Sequence, residues 1–147
     1  TVDELQGDGI LVFFGAPLAA PDHPERAVAC AIEMQNKMVE VNAAQRKESL
    51  PELSMGIGIN TGEVVVGNIG SQNRSKYGAV GTAINLAYRI ESCTRGGQIL
   101  MSPATYGKVQ SLVHIRKKME KEFKGIKEPM TIYDVGGMEG KYQLSLS

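Results

Sequence analysis

The sequence predicts an α+β fold in which helices pack on a mostly antiparallel sheet. Three observations carry that expectation. Alternating apolar stretches outnumber helical ones, the elements read in the order β-β-α-β-β-α-β-α-β-β, and no internal repeat or linker interrupts them. The chain has 147 residues, enough for one domain with one ordinary core. Hydrophobic residues make up 42% and charged residues 22%, the balance of a globular chain and not a disordered one.

Each element has its own warrant. "VDELQGDGILVFFG" reads as two strands joined at Gly7-Asp8-Gly9, because glycine supplies the backbone freedom that tight hairpins need. "APLAAPDHPE" is a loop. From about Pro24 to Lys47 the pattern is helical, with Asp22 or His23 before a proline suited to the first helical position. Ala27, Ala31, Met34, Met38 and Val41 form its apolar stripe, at spacings of four and three. Leu53 to Asn60 alternates as a half-buried strand, Thr61-Gly62 turns, and "EVVVGNIG" returns as a second strand. "SQNRSKYG" reads as a polar, exposed excursion. "GTAINLAYRIESC" is a helix with Thr82 as its N-cap. Leu86, Ala87, Ile90 and Cys93 cover one side of it, and Asn85, Arg89 and Ser92 share the other. "GGQILMS" is a short strand and "PATYGKVQ" a short helix from Pro103. Strands near Val113–Lys117 and Met130–Val135 flank "KEFKGIKEP", and the tail after Gly136 has no clear pattern.

The charge balance narrows the classes of function. Lys+Arg and Asp+Glu both number 16, which gives no electrostatic footprint for nucleic acid. No basic helix face argues for direct membrane contact, and no apolar run approaches the ~20 residues that span a bilayer. Cys30 and Cys93 lack a metal-ligand spacing, which suggests a reducing, cytoplasmic setting. His23 and His114 have no ligand-like partners and read as structural or surface residues.

Four segments carry chemistry: "GDGILVFFGAP", "INTGEVVVGNIGS", "VGTAINLAYRIES" and "FKGIKEPMTIYDV". Together and in this order they resemble the class III nucleotidyl cyclase catalytic domain, over residues 1 to about 135. The resemblance implies a ferredoxin-like βαββαβ-type core. It also implies a reaction, attack of a ribose 3′-oxygen on the α-phosphorus of a nucleoside triphosphate with loss of pyrophosphate. Such a reaction rests on positioning and charge neutralisation, aided by two Mg²⁺ or Mn²⁺ ions per site.

By the same resemblance Asp8 is the second metal aspartate, with a glycine on each side to let a cation approach. The first metal aspartate is expected on an earlier strand, so residues 1–147 read as an N-terminally incomplete catalytic domain, inactive alone and following an upstream regulatory domain. Glu4 and Gly78 fall at the two base-choosing positions. A carboxylate accepts from guanine N1–H and N2–H₂ side by side, whereas adenine presents a bare N1 acceptor there. Gly78 offers adenine no acceptor and guanine no donor, and it also suits a backbone need beside Tyr77. Asn85 and Arg89 match the transition-state pair, Asn to orient the ribose and Arg to neutralise the α-phosphate. Lys124 fits the triphosphate-binding lysine, with Lys127 as a nearby substitute.

The metal carboxylates of one chain and the base pocket, Asn and Arg of another imply a homodimer with two equivalent sites. The expected activity is therefore a guanylate cyclase, GTP to 3′,5′-cyclic GMP. The alternatives are an adenylate cyclase acting on ATP through an atypical pocket, and a non-catalytic cyclase-like regulatory module.

Overall fold

Two short ribbons and a five-stranded sheet organise the chain. The computed structural model describes residues 1–6, 9–69 and 76–147, and the side chains of 4–6, 69 and 76–78 fall outside that description. The strands are β1 (Val2–Gln6), β2 (Gly9–Val12), β3 (Ile57–Ile59), β4 (Val65–Ile69), β5 (Lys76–Val80), β6 (Ile99–Met101), β7 (Val113–Lys121), β8 (Met130–Met138) and β9 (Leu144–Ser145). The helices are α1 (His23–Lys47), α2 (Thr82–Ser92) and α3 (Pro103–Val109). The sheet runs β3-β6-β8-β7, with β9 pairing β8; β1 pairs β2 and β4 pairs β5 in separate antiparallel ribbons. Only β3 and β6 run parallel, which requires the crossover that α2 provides. The fold is thus mixed α+β with an antiparallel-dominant sheet, as the sequence predicts.

Alternation along β6 sorts the core into layers. Ile99 and Met101 join a cluster with Val28, Ala31 and Ile32 of α1 and Val109 of α3. Leu100 points the other way, to Ile90 of α2, Phe123 and Ile132. The sheet therefore lies between α1 with α3 on one face and α2 on the other, as a period of two along a strand dictates. Ile32, Ile90, Ile99, Leu100 and Ile132 are fully buried, each stabilising the fold by about 1.5–3 kcal/mol over exposure. On the first face Tyr106 stacks on Tyr133 with ring centroids 3.9 Å apart.

Several boundaries differ from the sequence expectation, each for a physical reason. The strand expected over Leu53–Asn60 is reduced to Ile57–Ile59. Side chains of α1 occupy the backbone groups ahead of it: Asn42 bonds both the N–H and the carbonyl of Leu53 at 2.7 Å, and Gln35 Nε2 donates to the Met55 carbonyl at 2.8 Å. β4 does not return onto β3. Its partner is β5, which takes up the end of the stretch expected to be an excursion, while residues 70–75 lie outside the described residues. The N-cap of α2 is Gly81 at φ +149°, not Thr82, because that backbone conformation favours glycine.

In α1 the buried stripe is Pro24, Val28, Ala29, Ala31, Ile32 and Gln35. It is turned by roughly one residue, ~100°, from the expected stripe, of which only Ala31 is buried. The β-branched Val28 and Ile32 face the sheet, leaving Met34 and Met38 half-buried and Val41 exposed. β7 and β8 run longer than expected, and the tail contributes β9, whose Leu144 packs on the first cluster.

Candidate active site

Three elements hold the described site residues: α2, the β7–β8 connection, and the contact between the two ribbons. α2 seats Ile90 in the core, with Leu86 and Cys93 against the same cluster. That anchoring leaves Asn85 and Arg89, four residues apart, on the exposed face. Both are exposed, as an outward-facing pair must be.

Arg89 reaches the β7–β8 connection, where its Nη1 donates to the Lys124 carbonyl at 2.5 Å. The connection turns at Phe123–Ile126, closed by Ile126 N donating to the Phe123 carbonyl at 3.0 Å. Gly125, at φ +88°, occupies the position that a type II turn reserves for glycine. Phe123 is buried and fixes the turn to the core, while Lys124 and Lys127 are exposed. The structure thus brings Arg89 and the Lys124 backbone together, and both lysine side chains stand at the same edge of the molecule.

The ribbons meet where β1 passes β5. The Ala79 N–H donates to Asp3 Oδ2 at 3.3 Å. Glu4 follows Asp3 on β1, opposite Leu11, and Gly78 precedes Ala79 on β5, opposite Gly67. Positions 4 and 78 therefore lie on neighbouring strands, one residue to either side of the Asp3–Ala79 bond. The Glu4 side chain lies outside the described residues, as do Gly7 and Asp8. Asp3 is a residue that sequence reasoning missed; one more carboxylate beside Glu4 gave no signal of its role.

Among the described residues, no three His, Cys, Asp or Glu side chains converge as a metal site. The one expected ligand, Asp8, lies outside them. Burial pushes the Cys30 thiol above its ordinary range, which makes it a poor nucleophile. His114 pairs at the surface with Glu139 at 2.8 Å, away from α2. A cleft of about 710 Å³, lined by Gln35, Asn42, Met55, Gln98 and Asp134 among others, contains none of the expected site residues. Its buried Asp134 accepts from Gln98 Nε2 at 3.2 Å and faces Arg116 at 3.6 Å, a structural pairing. Among the described residues, no helix is long and apolar enough to cross a membrane.

Comparison with known proteins meets this geometry from outside. Residues 4–137 match the family model described as the adenylate and guanylate cyclase catalytic domain. The solved structure of the guanylyl cyclase Cya2 superposes with a TM-score of 0.95 at 53% identity, covering 100% of this chain and 75% of that one. The adenylyl cyclase CyaB from P. aeruginosa superposes with a TM-score of 0.87 at 33% identity, covering 99% of this chain and 74% of that one. "Adenylate cyclase 1" of Rhizobium meliloti (strain 1021) is 33% identical over 140 residues, which are 94% of this chain and 21% of that protein. The chain spans less than a third of the length of such relatives, 29% of the Mycobacterium tuberculosis adenylate cyclase for instance. A family match over nearly the whole chain, on a fold superposing this closely, makes this chain a member of the class III nucleotidyl cyclase catalytic domain family.

Proposed function

We propose that the chain is the catalytic domain of a guanylate cyclase, converting GTP to 3′,5′-cyclic GMP and pyrophosphate at an interface between two copies. One observation carries the choice of base: the Asp3–Ala79 bond sets β1 against β5, so that Glu4 and Gly78 flank one junction. Glu4 accepts from guanine N1–H and N2–H₂ together, and a site that buries this pairing rejects adenine, whose N1 would face a carboxylate. Gly78 leaves the purine edge room and offers an adenine amino group no side-chain acceptor. The 53% identity to a guanylyl cyclase supports the same reading.

In this proposal the ribose 3′-oxygen forms a bond to the α-phosphorus and gives its proton to solvent. The bond from the α-phosphorus to the bridging oxygen breaks, and pyrophosphate leaves with that electron pair. Asn85 orients the ribose, and Arg89 stabilises the charge growing on the α-phosphate. Arg89 lies on the Lys124 carbonyl in the isolated chain, so the same guanidinium is within reach of anything bound beside that turn. Lys124, with Lys127 as the alternative, holds the triphosphate.

Class III cyclases generally use divalent metals. Mg²⁺ or Mn²⁺, two ions per site, would polarise the phosphoryl oxygens and neutralise the leaving group when bound. Asp8 would be a ligand to them, and among the described residues no other is assigned.

The homodimer belongs to the proposal because the two halves of the site are read on one chain. Exposed apolar residues accompany them: Val65 at 70% and its cross-strand partner Val80 at 51%, with Ile10 at 54%. Val65 and Val80 face each other across one ribbon and Ile10 lies on the other, and contiguous exposed apolar surface of this kind suits a partner. The proposed setting is the cytoplasm, downstream of a regulatory domain.

A second reading, adenylate cyclase, draws on the relatives named for that activity. The test is direct. The full-length protein is incubated with GTP or ATP, each with Mg²⁺ and with Mn²⁺, and the cyclic product is identified. Cyclic GMP as the main product supports the proposal. Cyclic AMP as the main product replaces it with the second reading, and no product from either nucleotide leaves only a binding module.

A further inference from the structure

Every second residue from 56 to 62 faces α2 or Thr94, just past its end. A side chain on Gly56 would overlap Thr94, and one on Gly58 would collide with the Glu91 backbone and come within 2.8 Å of the Ala87 carbonyl. A Cβ on Gly62 would lie 2.9 Å from the Ala83 methyl. At Gly58 the helix backbone therefore rests directly on the strand, with no side chain between. The remaining member of this stripe, Asn60, is polar.

Asn60 Nδ2 donates to the Ala83 carbonyl at 2.9 Å, and its Oδ1 accepts from Ser102 Oγ at 2.6 Å. Ser102 is 1% exposed and N-caps α3, its Oγ accepting from the Thr105 N–H at 3.2 Å. The amide has only one orientation in this network. A carbonyl can only accept, so the NH₂ must face Ala83 and the oxygen must face the Ser102 hydroxyl.

Ala83 lies in the first turn of α2, two residues before Asn85 and six before Arg89. That turn has no side-chain cap of its own, because its N-cap is Gly81, whose carbonyl accepts from both the Ile84 N–H at 3.2 Å and the Asn85 N–H at 3.3 Å. The start of the helix is held from the strand instead.

We propose that Asn60 is a positioning residue for the cyclase reaction. By tying the Ala83 carbonyl to the buried Ser102, it fixes the first turn of α2 and hence where Asn85 and Arg89 stand. The inference rests on reading those two as the transition-state pair. Displacing such a pair by ~1 Å costs about 10²-fold in rate, so one tether at the root of the helix has leverage on turnover.

The test uses Asn60→Asp, Asn60→Ala and Asn60→His in the full-length protein. Aspartate keeps the shape but presents a carboxylate, with no donor, to the Ala83 carbonyl. Histidine keeps an N–H at a similar distance from the backbone. Aspartate and alanine are expected to lower kcat by about tenfold or more with KM changed by less than about twofold. Histidine restores the bond to Ala83 but sets a carbon where Oδ1 accepts from Ser102, so it is expected to recover part of that loss. Hydrogen exchange of the amides from Ile84 to Arg89 should quicken in the first two variants and less in the third. Unchanged exchange in the aspartate variant, unchanged kcat, or histidine as slow as aspartate would each overturn the inference. Should the unsubstituted protein turn over neither GTP nor ATP, the cyclase reading falls by itself, and the exchange result alone decides the tether.

Discussion

The sheet core and the two ribbons are built from similar residues and do opposite things with them. In β6, Ile99, Leu100 and Met101 are all fully buried, because helices cover both faces of the sheet. In the ribbons Val2 is 63% exposed and Val65 70%, and nothing among the described residues covers them. Stability is concentrated where the chain closes on itself. The residues assigned to nucleotide lie where it does not: Glu4 and Gly78 on the ribbons, Asn85 and Arg89 on the outward face of α2. Under the proposed function, this chain would form the walls of a site and leave the closing of it to a second copy.

Substitutions on either side can break or sharpen that contrast. Ile99→Ala should cost about 2–5 kcal/mol of folding stability, read by urea unfolding, because it opens a cavity between two covered faces. Arg89→Ala should lower turnover by about 10²–10³-fold with a much smaller change in KM and an unchanged melting temperature. An unchanged rate would remove Arg89 from the catalytic list. Val65→Ser should shift folding stability by no more than about 0.5 kcal/mol while weakening self-association in sedimentation. If it destabilised the fold as Ile99→Ala does, the ribbons would belong to the core and the contrast would be lost.

Much of this was legible in the sequence because short-range patterns carried it. The alternation of Ile57 and Ile59 and the spacing of Leu86 and Ile90 are local signals, and the elements they predicted exist; β1 and β2 pair as expected, while Gly7 and Asp8 lie outside the described residues. The misreadings came from distant partners. Whether β4 lies beside β3 or β5 is not written in either strand, and the answer leaves Gly78 opposite Gly67. The orientation of α1 followed Val28 and Ile32, whose neighbours in the core include Ile59, Ile99 and Met101, all on strands that come later in the chain.

The site was read through residues whose types suit phosphate and purine chemistry. Asp3 and Asn60 were missed because each acts through a backbone group far along the chain, Ala79 and Ala83. For Asn60 a signal existed: Gly56, Gly58 and Gly62 alternate with it along one closely packed face, and a polar residue in such a stripe needs a partner.

The central claim is that the carboxylate of Glu4 selects guanine. It is tested most directly by the ratio of kcat/KM for GTP to that for ATP in the full-length protein, before and after Glu4→Lys. The expected ratio is well above one and falls by about 5- to 150-fold on substitution, the loss of roughly 1–3 kcal/mol of pairing. A ratio at or below one at the outset, or one that Glu4→Lys leaves unmoved, would contradict it.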